Sequence, residues 1–264
     1  MILQVIKWSR TFRLLLILSI ALCTACTPAQ SGNTQQAQTE LQQCVDAAHY
    51  SSFWIWGNIS SSPYLQQASE LYILQGEMNW NKPLKQSEFI PQGIQVLHKP
   101  QQKIWIVIRS HHLQWSNNNI QQILQRLKHW ENNGNQIQGL QIDFDAKTKN
   151  IHQYALFLEN IRKQLPQKYR LSITGLMDWT NVQVQDQQTL SILRRNIDEI
   201  AIQTYRGSAT IENYTSYLNK VSKLKLPYKI GLVQHGRWHA PQHLINDPYF
   251  KGYVVFLLRT ANRP

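Results

Sequence analysis

The run Ile137-Gln138-Gly139-Leu140-Gln141-Ile142-Asp143-Phe144-Asp145 decides the reading of the fold. It is short, apolar at its centre and polar at its ends, as a strand should be. Ile151 to Leu165 follows with apolar residues at helical spacing, and Pro166 closes that helix before the next apolar run. A strand, a helix and a second strand in this order form the unit of a parallel sheet, because parallel neighbours need a long crossover between them.

Seven further runs rich in Val, Ile, Trp and Tyr lie outward from this unit. They are Phe53 to Trp56, Leu71 to Glu77, Lys103 to Arg109, Tyr169 to Leu176, Glu199 to Tyr205, Lys229 to Gln234 and Gly252 to Leu258. Ile120 to Trp130 and Tyr214 to Leu224 show helical spacing between them, and Pro227 closes the second. Eight such units fit a single (β/α)8 barrel of TIM type, an α/β fold, whereas a doubly wound sheet stops at about five to seven strands. Only Arg259 to Pro264 follow the eighth run, so the last helix is expected to be incomplete. Glu40 to Ala48, read as a short helix, is expected to cover the gap.

Ahead of the barrel, Lys7, Arg10 and Arg13 precede an apolar stretch from Leu14 to Cys23. That stretch is too short for a membrane span and suits a signal-peptide core, so the chain is expected to be exported. Leu22-Cys23-Thr24-Ala25-Cys26 resembles the lipobox of bacterial lipoproteins. The resemblance implies removal of residues 1–25 and lipidation of Cys26, which anchors the protein to a membrane of the cell envelope. Thr27, where an Asp would signal retention in the inner membrane, implies the outer membrane and a periplasmic face. Residues 27–38 are polar and read as a tether, so 26–50 form tether and short helix and 51–264 the barrel domain.

The formal charge of the 264 residues is +12, and the three leader cations account for three of these charges. Lys and Arg are scattered among Gln and Asn without a basic block, so no nucleic-acid partner is expected. Cys23, Cys26 and Cys44 have neither metal spacing nor a disulfide framework. Dinucleotide, nucleoside-triphosphate and serine-hydrolase motifs are missing from the sequence, and no cofactor is expected. The oligomeric state stays open.

Barrel active sites lie at the C-terminal strand ends. Those ends carry Trp56, Glu77, Arg109, Asp143 with Asp145, Asp178 with Trp179, Gln203 with Tyr205, and Gln234 with His235. Strand alternation sends Asp143 and Asp145 to one side, opposite Ile142 and Phe144. Two carboxyl groups close together in a partly dry site raise the proton affinity of at least one, which makes a general acid; paired acids also bind divalent metals. Trp179 is suited to stack on a sugar ring while Asp178 binds hydroxyls, or the two serve as rim packing and helix cap. Glu77 and Arg109 read as an ion pair across the mouth or, for Glu77, as a second catalytic carboxyl. His111, His112, His235 and His239 lack zinc spacing and are expected in exposed loops, with no metal site.

Gln138 to Asp145 also resembles strand four of the chitinase-like glycoside hydrolases of family eighteen, whose pattern is Asp-Gly-x-Asp-x-Asp-x-Glu. Gly139 and Asp143 are kept, Gln138 and Gln141 replace acids, and Asp145 replaces the final Glu. The resemblance implies that Asp145 protonates the glycosidic oxygen, Asp143 orients the substrate's acetamido group and Tyr205 assists. More of the chain, from Phe53 to Gly57, Gly139 to Asp145, Leu171 to Trp179, Gln203 to Gly207 and Gly252 to Leu257, looks like an uncharacterised bacterial family of exported proteins, known as a domain of unknown function. The expected function is a glycoside-hydrolase-like enzyme on an envelope or extracellular polysaccharide. A non-catalytic glycan-binding lipoprotein and a metal-dependent hydrolase using Asp143 and Asp145 are the alternatives.

Overall fold

The structure, a computed structural model, describes residues 43–57, 63–181 and 187–258. The leader, Cys26 and the tether lie outside the described residues. No helix among the described residues is long and apolar enough to cross a membrane.

Eight parallel strands form a closed barrel: β1 (Ser52–Ile55), β2 (Glu70–Asn81), β3 (Lys103–Ser110), β4 (Gln136–Asp143), β5 (Arg170–Leu176), β6 (Glu199–Gln203), β7 (Tyr228–Val233) and β8 (Phe250–Phe256). Each pairs with the next in chain order, and Val255 and Phe256 of β8 pair with Phe53 and Trp54 of β1 to complete the circle. The strands sit where the apolar runs predict them, as a (β/α)8 barrel requires.

The helical ring is uneven. Helices α1 (Tyr64–Gln67), α2 (Asn117–Asn132), α3 (Ile151–Gln164), α4 (Gln187–Asn196) and α5 (Tyr214–Leu218) occur among the described residues. Only α2, α3 and α4 have ten residues or more. Helix α2 starts at a reciprocal cap, with Asn119 N–H donating to Ser116 Oγ at 3.2 Å and Ser116 N–H donating to Asn119 Oδ1 at 2.9 Å. It buries Ile120, Ile123, Leu127 and Trp130 along one stripe.

Between β2 and β3 the expected helix is replaced by an antiparallel strand, Gln86–Pro91, paired to the far half of β2. The predicted helix over Glu40 to Ala48 is corrected in its described part, which forms a two-residue strand, Gln43–Cys44, and a turn at Ala47–His49. Asp46 favours the turn by accepting from Ala48 N–H at 2.9 Å. The segment does lie beside β7 and β8. Gln43–Cys44 pairs with Arg237–Trp238, Val45 N–H donates to Gly236 O at 2.8 Å, and the Tyr50 ring meets Tyr253 edge-on at 5.7 Å.

Strand alternation divides two apolar layers. Ile104, Ile106 and Ile108 of β3 face outward into the main core, while Trp105 and Val107 face inward with Trp54, Tyr72, Leu74, Ala201 and Val254. Tyr72 and Trp105 stack at 5.7 Å, their planes 4° apart. At the N-terminal end of the barrel, Lys229 forms an ion pair with Glu70 and lies 4.0 Å from Glu199. Tyr72 and Ser172 also donate to Glu199.

Candidate active site at the barrel mouth

Strand β4 places the central acid. Gln138 is an extra residue in the β3–β4 register, which jumps from Ile104↔Ile137 to Trp105↔Gly139. Gly139 lets β4 approach β5, since a Cβ there would sit 1.9 Å from Arg170 O. Alternation then turns Gln141 and Asp143 inward. Gln141 is fully buried and satisfied, accepting from Trp54 Nε1 at 2.6 Å and donating to Ser172 Oγ at 2.9 Å. Because the Ser172 hydroxyl donates a hydrogen bond to Glu199, a carboxylate at 141 would add like charge to a buried network; the amide avoids this.

Asp143 ends the strand with 6% of its surface exposed. Thr174 Oγ1 donates to its Oδ1 at 2.7 Å, and Arg109 Nε lies 4.0 Å from Oδ2. Burial raises the Asp143 carboxyl from the usual 3.8 to about 6; the Thr174 hydrogen bond opposes this, the Asp145 charge adds to it, and Arg109 and His111 oppose it. The strand predicted to run to Asp145 stops two residues earlier, as the chain turns through Ala146 N–H to Phe144 O at 2.7 Å. Asp145 is exposed, yet it lines the same cleft as Asp143.

That cleft encloses about 1080 Å³ at the C-terminal ends of the strands. Trp56, Arg109, Asp178, Gln203 and Tyr205 line it, as expected. Trp56 and Tyr205 approach Phe256 at 5.5 and 5.7 Å, and the Arg109 guanidinium lies 5.2 Å over the Trp56 ring. Burial and the neighbouring Asp143 charge hold the Tyr205 hydroxyl well above its ordinary value, so it stays a proton-bearing donor. Asp178 Oδ2 accepts from Thr148 Oγ1 at 2.8 Å, tying together the loops after β4 and β5. Trp56 Nε1 and Asp178 Oδ1 are buried without a protein partner, one donor and one acceptor beside the cleft.

Four expected residues lie elsewhere. Trp179 is 0% exposed, donates to Ala146 O at 2.7 Å and packs edge-on against Tyr154, because the turn after β5 rolls it into the core; it cannot stack on a sugar. Glu77 is a register neighbour of Arg109, but the expected ion pair does not form: Arg109 turns to Asp143, and Glu77 lies 3.5 Å from His111 Nε2. Gln234 is buried and accepts from Leu258 N–H at 3.0 Å, and His235 faces a separate hollow. Conversely, Lys147, Lys149, Arg206 and Glu212 line the cleft from segments beyond the barrel strands, where the sequence offered no periodicity to place them. Among the described residues no group of three or more His, Cys, Asp or Glu side chains is arranged to hold a metal.

Fold and mouth together define a (β/α)8 barrel with an aromatic cleft lined by charges of both signs. Residues 104–231, which run from β3 to β7, match the model of a family described as "Domain of unknown function (DUF3142)". Among solved structures, that of the Bacillus cereus spore cortex-lytic enzyme SleL aligns with a TM-score of 0.46 and 14% identity, over 69% of this chain and 49% of its own. The chain thus spans about half the length of that enzyme. No curated protein matches.

Proposed function

We propose that the protein is a glycoside-hydrolase-like enzyme acting on a polysaccharide, with Asp143 and Asp145 as its working carboxyl pair. The supporting observation is Asp143, a carboxyl group that keeps its proton up to about pH 6 at the wall of an aromatic cleft. Cleaving a glycosidic bond requires a proton on the departing oxygen, and a carboxyl with raised proton affinity supplies it. Burial favours Asp143 as that donor, the reverse of the order that the strand-four resemblance implies. Asp145, exposed at the same wall, takes the proton of the water that attacks the anomeric carbon. The Tyr205 hydroxyl, Trp56 Nε1 and Asp178 Oδ1 are left to bind sugar hydroxyls.

The test incubates the protein with glycol chitin, hydroxyethyl cellulose, polygalacturonate and solubilised peptidoglycan, and measures reducing ends. Asp143→Asn should lower turnover by about 10²–10⁴-fold with binding kept. Undiminished turnover in that variant overturns the assignment. Binding by wild type without product over long incubation would favour the glycan-binding alternative, which the unpaired donor and acceptor also suit.

The same reading has the enzyme exported and held at the cell envelope by lipid on Cys26. Radiolabelled palmitate should enter the wild-type chain in a lipoprotein-processing bacterium and not Cys26→Ser; equal labelling of both would reject the anchor.

A further inference from the structure

Strand β2 is longer than its neighbour in the barrel. Its parallel pairing with β3 ends at Met78↔Ser110, while its antiparallel pairing with Gln86–Pro91 continues to Asn81↔Gln86. Trp80 therefore stands beyond the rim, and it is 41% exposed. Its ring meets His112 edge-on at 5.5 Å with the planes 79° apart. His112 is itself held, because its Nδ1 accepts from Gln114 N–H at 3.0 Å and Ser110 Oγ donates to its carbonyl at 2.5 Å. The indole is thus presented from a fixed backing.

In front of it lies a second hollow of about 580 Å³, lined by Trp80, His112, Gln114, Phe144, Asn150 and Gln153 among others. The two hollows share one wall. Within the segment that follows β4, Asp145, Lys147, Thr148 and Lys149 line the cleft, while Phe144 and Asn150 line the hollow at Trp80. Apart from the imidazole of His112, this hollow is lined by apolar groups and side-chain amides, with no Asp, Glu, Lys or Arg. An indole face with amides around it fits the C–H face and hydroxyls of an uncharged sugar ring.

We infer that Trp80 is a stacking platform for an uncharged sugar unit of the same polysaccharide chain that enters the cleft. The inference rests on the glycan reading of that cleft. The chain crosses the wall formed by residues 144–150, so the platform acts on polymers and not on fragments that the cleft holds alone. The enzyme then prefers long chains.

The test compares wild type, Trp80→Ala and Trp80→Phe by affinity electrophoresis and steady-state kinetics. The probes are the four polymers named above and the three- and four-sugar fragments of whichever is bound, with melting curves as a folding control. Trp80→Ala should weaken polymer binding about ten-fold and raise KM for polymer with kcat unchanged. Fragments should be handled as by wild type, and Trp80→Phe should recover part of the loss. Equal polymer affinity in wild type and Trp80→Ala, with turnover still lost in Asp143→Asn, overturns the platform and leaves the cleft reading standing. A wild-type protein that binds none of the polymers overturns both.

Discussion

Asp143 couples the chemistry of the mouth to the stability of the barrel. Its folded value of about 6 lies above the unfolded value of about 3.9, so the proton favours the folded state. That contribution is complete below about pH 4 and is lost as pH rises through about 6. Asp143→Asn removes the charge and keeps the shape and the acceptor for Thr174. At pH 7.5 it should be more stable than wild type by about 1–3 kcal/mol, the difference closing by pH 4; thermal melts at the two pH values read this directly. A variant less stable than wild type at pH 7.5 would contradict the cost assigned to burial. Asp143 was legible in the sequence because alternation along an apolar strand fixes its side. Trp179 and Glu77 were not, because a turn and a competing partner decide their orientation, and neither leaves a periodic trace.

At the scale of elements, the strands were legible and the ring around them was legible only in part. Runs such as Lys103 to Arg109 are buried on both faces and so read as continuous apolar stretches. Strand Gln86–Pro91 has only Phe89 and Ile90 as large apolar residues, with Ile90 exposed, and it ends in proline, so little in it announces a strand. Helix α4 buries Leu190, Ile192 and Leu193 among Gln and Arg, too sparse a stripe to stand out. The segment before β1 forms a short strand and a turn in place of the expected helix, and its contacts are with the loop after β7 and with Tyr253 of β8. Removing residues up to Tyr50 exposes the sites that Val45 and Ala47 occupy, both now buried, and frees Arg237–Trp238 from its partner strand. The truncated chain should lose about 2–3 kcal/mol, measured by urea unfolding. An unchanged midpoint would show that the segment only rests on the barrel.

For the whole molecule, the two ends of the barrel carry charge for different purposes. The C-terminal end keeps its acids beside an open cleft; the N-terminal end seals Lys229 against Glu70 and Glu199, with Lys229 only 8% exposed. Burial raises both carboxyl groups. At Glu70 the Lys229 charge, with hydrogen bonds from Lys229, Trp105 and Ser52, reverses the sign and lowers it below its usual value. At Glu199 burial prevails over Lys229, helped by the Glu70 charge, and the group is raised. Lys229→Met would remove the nearest counter-charge from buried Glu199 and half-buried Glu70 and should cost about 3–5 kcal/mol at pH 7, read by urea unfolding. The deficit should narrow as pH falls below the ordinary carboxyl range, because the variant's unpaired acids take up protons there while Glu70 of the wild type, held low by Lys229, keeps its charge to lower pH. A deficit independent of pH would mean that Lys229 acts through packing alone.

A closed barrel has no free strand edge, and this one acquires an edge where Gln86–Pro91 hangs from β2 at the end of the sheet. One side of that strand offers its backbone to any extended chain that meets it. Exposed Gln86, charged Glu88 and terminal Pro91, which has no N–H to give, make it a poor template for such pairing. The hairpin that carries Trp80 is therefore also where the protein must guard against joining its own copies into a larger sheet, and Glu88 and Pro91, on either side of exposed Ile90, are what guard it.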